Sequence, residues 1–276
     1  MRNSAIVVVF IVGFALTTAH AAEPVTTCGQ RVADGVLAAD LDCSGTAGDA
    51  VQVDHSFSLG GFTLTVGVDF PDNSYGVHCV RHGDDADGVC EVSGPGTIAG
   101  SGAGPGNHGV RGRGMAVRNV TFTGNLSAVV GQRAKVNGCD INAVTGTGVW
   151  AQAARVNDTQ ITNSGRFGIG VGRRAILRHT DVTGSVLDGI TSGGNVVLFA
   201  SNVTGNAGNP NDCQAVLGYA QCSQSPQPWL CADISADRAV VLGAASTCGS
   251  SLVQAGSCSG FYDFRPGQSF GVCAGD

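Results

Sequence analysis

Apolar residues return along this chain at a near-constant interval. Val120, Ile141, Ile161, Val182 and Val203 each sit in a short phrase of the type x-Val/Ile-Thr/Asn, at steps of 21, 20, 21 and 21 residues. Five positions earlier, Met115, Val136, Val156, Leu177 and Leu198 repeat the same steps. A third column, Val129, Val149, Ile169 and Ile190, steps by 20, 20 and 21. Three columns that keep one period predict a repeat architecture in which each unit stacks on the last.

The period restricts what that unit can be. About twenty-one residues are too few for a helix–turn–helix repeat, and a leucine-rich repeat would need several Leu and an Asn-centred motif that do not recur. Three short strands joined by turns fit. Each coil then rests about 4.8 Å above its predecessor through backbone hydrogen bonds. The predicted fold is all-β: a right-handed parallel β-helix, the hand following from the rule for parallel crossovers. Alternation along a strand puts the first column inside and its neighbours outside. Gly124, Gly146, Gly165, Gly184 and Gly205 recur just after that strand, where a corner requires positive φ or close approach.

Upstream, Ile98, Leu64 and Leu41 continue the first column at steps of 22, 34 and 23. The long step matches an insertion at about 71–90 tied off by a Cys79–Cys90 bridge. Coils are expected from about residue 36 to 206, within a helix domain of residues 22–206, with Cys28–Cys43 stapling the first coil.

The two ends read differently. Arg2, the apolar run Ala5–Leu16 and Ala19-His20-Ala21 form a secretory signal peptide over residues 1–21. The apolar run is too short for a comfortable membrane span. A secreted, extracellular or periplasmic monomer with no membrane span is expected. All eleven cysteines follow this segment, which in an exported chain implies a disulfide framework with one thiol left over. After Val203 the phrases fade into Asn-, Pro-, Gly- and Ser-rich stretches, and Cys213, Cys222, Cys231, Cys248, Cys258 and Cys273 predict a disulfide-rich cap over residues 207–276. A helix end exposes apolar core and strand edges, so it needs one. Zinc is disfavoured there, because CxxC spacing is absent and no His lies nearby. Cys139, two before Ile141, points inward beside Thr159, Thr180 and Ser201 as a small buried thiol.

Composition agrees with strands and tight turns: 43 Gly, with charged residues at only 13%. The net charge is −6, and removing Arg2 makes it about −7. No basic stripe is legible along the chain, which argues against a nucleic-acid partner.

The segments TCGQRV, LAADLDCSGTAGDAV, GGFTLTVG and VSGPGTIAG, followed by phrases such as NVTFTGN, resemble the bacterial right-handed β-helix repeat proteins of the pectin-lyase-like superfamily. The tail STCGSSL…SFGVCAGD is similar to a closing segment of some members, which implies a Cys248–Cys273 pair. That superfamily spans lyases, hydrolases, epimerases and adhesins, so the resemblance speaks to fold more than function. Its polygalacturonase-like hydrolases use an Asp pair, a His one coil on, and an Arg-x-Lys one coil beyond. Asp84-Asp85, then His108, then Arg133-Ala134-Lys135 are the matching residues, with the first three as catalytic candidates and Arg133 and Lys135 as substrate-binding ones. One carboxylate would protonate the leaving oxygen, the other would activate water, and the cations would hold a uronate. Three departures favour a solvated surface loop instead: the upstream Asn-x-Asp is missing, Asn107 replaces a Gly beside His108, and the Asp pair sits in an insertion.

A second group lies outward beside the first column: Asn119, Asp140, Gln160, Asp181 and Asn202. Asp140 and Asp181, two coils or about 10 Å apart, slightly exceed the range of an inverting pair. Nearby His179, Arg178, Arg173 and Arg174 could bind an acidic sugar, or the row could simply form a polar stripe. A Thr column with Asn142 also suggests ice binding, though Thr suits any strand. No cofactor is expected, with calcium left open and no metal site assigned.

Together these features predict a secreted β-helix protein that engages extracellular polysaccharide, either as a uronate-polysaccharide hydrolase or lyase or as a non-catalytic surface, structural or adhesion-type rod.

Overall fold

The computed structural model describes residues 21–67, 74–80, 89–101, 107–206, 233–249, 251–253, 257–258 and 261–262. Residues 1–20 of the expected signal peptide 1–21, Asp84, Asp85, Cys213, Cys222, Cys231 and Cys273 fall outside these residues. All the described elements are strands. They form a 14-stranded and a 9-stranded sheet, parallel throughout, plus one two-stranded antiparallel pair, Ser257–Cys258 with Phe261–Tyr262. The chain is a parallel β-helix.

Each coil has three faces. In the middle of the rod one long strand supplies two of them: Asn107–Arg118, Ser127–Asn137, Thr147–Asn157 and Ile169–Arg178 pair side by side along nearly their whole lengths. Toward both ends the same path divides. Ser74–Cys79 and Cys90–Ser93 precede Asn107–Arg118, and Ile190–Ser192 and Asn195–Phe199 follow Ile169–Arg178. The third face consists of short strands, among them Thr97–Gly100, Thr121–Thr123, Asp140–Asn142, Gln160–Thr162 and Asp181–Thr183.

Inside, each face stacks like on like. The first face buries Val77, Val110, Val129, Val149, Ile169, Ile190 and Ile234 in one column. The second buries Val92, Val117, Val136, Val156, Leu177 and Leu198. The third stacks Leu64, Ile98, Phe122, Ile141, Ile161, Val182 and Val203, each at most 1% exposed. Each large aliphatic so buried contributes about 1.5–3 kcal/mol.

One coil breaks the expected register. Phe122, not Val120, pairs with Ile98 and Ile141, and Val117, not Met115, pairs with Val136. From Val110 to Val129 the coil is therefore 19 residues long. A slip of two residues preserves the in–out alternation, so Val120 and Met115 stay buried and the apolar pattern alone cannot reveal it. Outward, Thr121 rather than Asn119 joins the row of Asp140, Gln160, Asp181 and Asn202.

The corners follow the same logic. Positive φ recurs after the third face, but at Gly124, Ala143, Asn163, Gly184 and Gly205; Gly146 and Gly165 are off that column. A second such column, Asn119, Gly138, Asp158, His179 and Ala200, turns the chain from the second face to the third. Just inside it runs the polar stack of Cys139, Thr159, Thr180 and Ser201. Thr159, Thr180 and Ser201 each donate from the hydroxyl to the carbonyl two residues back, at 2.7, 2.9 and 2.8 Å. The Thr159 and Ser201 hydroxyls accept from the backbone N–H of Cys139 and Thr180 in the preceding coil. Cys139 is a buried free thiol whose pKa burial pushes up, which disfavours the thiolate.

Ser74–Cys79 and Cys90–Ser93 belong to the ladder rather than to the predicted insertion, and the Cys79–Cys90 disulfide closes the segment between them. Cys28–Cys43 staples the first coil as expected. Parallel stacking also resumes beyond residue 206, inside the segment assigned to a cap: Ile234–Ala236, Ala239–Leu242 and Thr247–Cys248 pair with the strands of the coil before. The repeat fades from view there because Val203 and Cys248, adjacent in space, are 45 residues apart in sequence. Cys248 is disulfide-bonded.

Candidate functional site

Outward side chains of the first face converge on a groove of about 530 Å³. Its walls include His78, Arg111, Arg113, Val130, Gln132 and Trp150, and Gly112 and Gly131 lie at its floor. Ladder register creates it. His78, Arg111, Val130, Trp150 and Gly170 are successive Cα partners in five neighbouring coils. Alternation points this row away from the core.

Trp150 is the largest side chain there and is 50% exposed. Its indole reaches over the next coil, where Cε3 and Cζ3 take the space beside Gly170. A Cβ at Gly170 would stand 2.5 Å from Cε3 and 2.6 Å from Cζ3 of the ring, so only glycine admits this pose. The exposed ring thus presents an apolar plate beside polar neighbours. Arg113 Nε donates to Gln132 Oε1 at 3.2 Å, aligning those two groups at the groove's edge.

At the other end lies a polar cluster. His78 Nδ1 and Asp49 Oδ2 are 2.7 Å apart, and Gln52 Nε2 donates to the same carboxylate oxygen at 3.2 Å. His78 lines the groove, and with Nδ1 engaged by a carboxylate, which can only accept, its Nε2 remains for another partner. Arg111 donates to the Tyr75 hydroxyl, and its guanidinium carbon lies 4.6 Å from the Tyr75 ring centroid. His108 stacks on the same ring, with centroids 5.3 Å apart. Its Nδ1 is buried without a hydrogen-bond partner among the described residues, and burial, with Arg111 adding to it, lowers its pKa to about 4. His108 is therefore neutral at pH 7.

Among the described residues, those expected from sequence stand on different faces. His108 starts the first face, whereas Arg133 and Lys135 lie on the second, where Arg133 pairs with Gly114 and Lys135 with Ala116. The interval of 25 residues from His108 to Arg133 overshoots a 19-residue coil by six, which carries Arg133 around the corner. Asp140 and Asp181 stand outward on the third face, two coils apart with Gln160 between them. His179 occupies the turn between second and third faces and reaches Asp158 at 3.4 Å, both exposed. Asp84 and Asp85 lie outside the described residues. Sequence reasoning missed Asp49, Tyr75, His78, Arg111 and Trp150, and the aromatic-over-glycine pair across 20 residues was the one signal available.

The groove offers an apolar plate, two guanidinium groups and an imidazole oriented by a carboxylate. Among the described residues no group of three or more His, Cys, Asp or Glu side chains could hold a metal, and no helix is long and apolar enough to cross a membrane. No family profile and no curated protein matches the chain. Among solved structures it is similar to the A-module of the mannuronan C-5 epimerase AlgE4 of Azotobacter vinelandii, at 13% identity and a TM-score of 0.32, over 81% of this chain and 80% of that one.

Proposed function

We propose that this protein engages an extracellular polysaccharide in the groove of its first face, with Trp150 as the stacking platform. The observation that carries the reading is the indole seated against Gly170 on the outer side of the sheet and left half exposed. An exposed aromatic of this size is costly to solubility unless it serves contact, and a flat apolar ring with polar surroundings suits the C–H face of a sugar. Arg111 and Arg113 beside it favour sugars that carry a carboxylate. The test is equilibrium binding of the purified chain to uronate-containing polysaccharides, for the native protein and for Trp150→Ala. Saturable binding that the substitution abolishes supports the reading; equal binding by both sinks it.

A second reading is favoured by one further observation, the Asp49–His78 contact at 2.7 Å on a histidine that lines the groove. An imidazole oriented this way can take a proton from carbon next to a uronate carboxylate while Arg111 pairs with that carboxylate. The glycosidic C–O bond at the adjacent carbon then breaks, the departing oxygen gains a proton, and the sugar left behind is unsaturated. Ultraviolet absorbance of unsaturated product, lost in His78→Gln with polysaccharide binding retained, supports a lyase. Binding without any product leaves the non-catalytic rod.

A further inference from the structure

The second face concentrates positive charge that the sequence disperses and that a net charge of −6 conceals. Arg133, Lys135, Arg155, Arg173, Arg174 and Arg178 are all exposed on it or at its borders, within three consecutive coils. This corrects the expectation that no basic stripe exists: the cations are scattered along the chain and become neighbours only through the ladder.

Their arrangement is unfavourable to the fold by itself. Lys135 and Arg155 are direct partners in adjacent coils, about 4.8 Å apart, and like charges directly opposite destabilise a sheet. Arg133 and Arg174 lie in one row with Ala153 between them. Among the described residues Lys135, Arg155, Arg173 and Arg174 make no ion pair; the pairs at the margins are Arg118 with Glu91 at 3.3 Å and His179 with Asp158. Arg178 is turned aside over the Phe199 ring, 5.0 Å from its centroid. Edge protection does not account for the charges, because all three strands are interior to the sheet.

We propose that this face docks a polyanionic glycan lying along the rod axis, with its acidic groups meeting cations coil by coil. The site stands on a different face from the Trp150 groove and does not require it, although Arg113 and Gln132 at the shared corner make the two surfaces continuous. Nucleic acid is disfavoured because, among the described residues, the exposed ring beside these cations, Phe199, sits at their border under Arg178, so no run of rings alternates with the cations to stack successive bases. A lipid surface is disfavoured because the exposed large apolar side chains of this face, Phe199 and Val241, lie in the coils beyond the cations.

The test measures binding of the full chain to polygalacturonate, neutral dextran, anionic phospholipid vesicles and single-stranded DNA, at low and high salt. Lys135→Glu/Arg155→Glu is expected to weaken polygalacturonate binding at low salt by at least about tenfold and to flatten its salt dependence. Dextran binding should not change. Lys135→Ala/Arg155→Ala, which removes the repulsion, should melt no lower than the native chain, showing that the loss is not misfolding. Unchanged polygalacturonate binding by the charge-reversed variant overturns the proposal, even if Trp150→Ala abolishes it and so upholds the groove. Vesicles or DNA bound as tightly as polygalacturonate also overturn it.

Discussion

Gly170→Ala isolates the geometry of the groove from its chemistry. The substitution adds one methyl group outside the core, at a residue whose φ is ordinary for a strand. That carbon would stand 2.5 Å from the Trp150 ring, whereas carbon atoms in contact settle at about 3.5–4.0 Å, so the ring must move by about 1 Å or tip off the sheet. A tryptophan side chain presents about 250 Å², and half of it is exposed here. Covering that half with a sugar is worth at most about 3 kcal/mol at about 25 cal/mol per Å². A tilted ring keeps roughly half of this contact, so affinity should fall by about 1.5 kcal/mol, or about tenfold. Stability should not fall, because Gly→Ala in a strand is favourable by about 0.5–1 kcal/mol. Titration of tryptophan fluorescence with polysaccharide, for native chain, Gly170→Ala and Trp150→Phe, gives the affinities; thermal melts give the stabilities. Native affinity in Gly170→Ala, with Trp150 shown by its spectrum to be displaced, would refute the role given to the flat ring.

Four further outcomes follow from the rod itself. Phe122→Ala, in the centre of the third-face stack, should cost about 3–5 kcal/mol by denaturant unfolding. Thr180→Val leaves the Arg178 carbonyl with the Asp158 N–H but without its hydroxyl donor and should cost about 0.5–1.5 kcal/mol. Because the folded-state pKa of His108, about 4, lies below its unfolded value of about 6.5, the unfolded chain binds the extra proton between them. Stability is therefore full above pH 6.5 and falls, by on the order of 2–3 kcal/mol, as pH drops toward 4; His108→Phe should flatten that slope in melts run across the range. Opening the 15-residue Cys28–Cys43 loop with paired serines should lower stability by about 3 kcal/mol.

The fold was legible because a parallel ladder must repeat its apolar residues at the coil length, and three columns did so independently. Leu41, Leu64, Ile98 and the residues from Ile141 to Val203 could be placed by counting. Val120 could not, since a two-residue slip leaves the alternation intact and only backbone pairing distinguishes it from Phe122. The site was much less legible. Asp49 and His78 meet across 29 residues, and Trp150 rests on a glycine that in sequence looks like any other in a Gly-rich stretch. His108 drew attention as a candidate acid–base group, yet its burial keeps it neutral and directs it at Tyr75 instead of the groove. Net charge misled about the second face for a related reason: a solenoid turns residues about twenty apart into neighbours, so local charge counts say little about its surfaces.

The most direct test of the central claim is a crystal structure of the chain soaked with a short oligogalacturonate. Density for a sugar ring stacked on Trp150, with a carboxylate against Arg111 or Arg113, is the expected result. An occupied oligosaccharide elsewhere on the rod, with Trp150 bare, would contradict it.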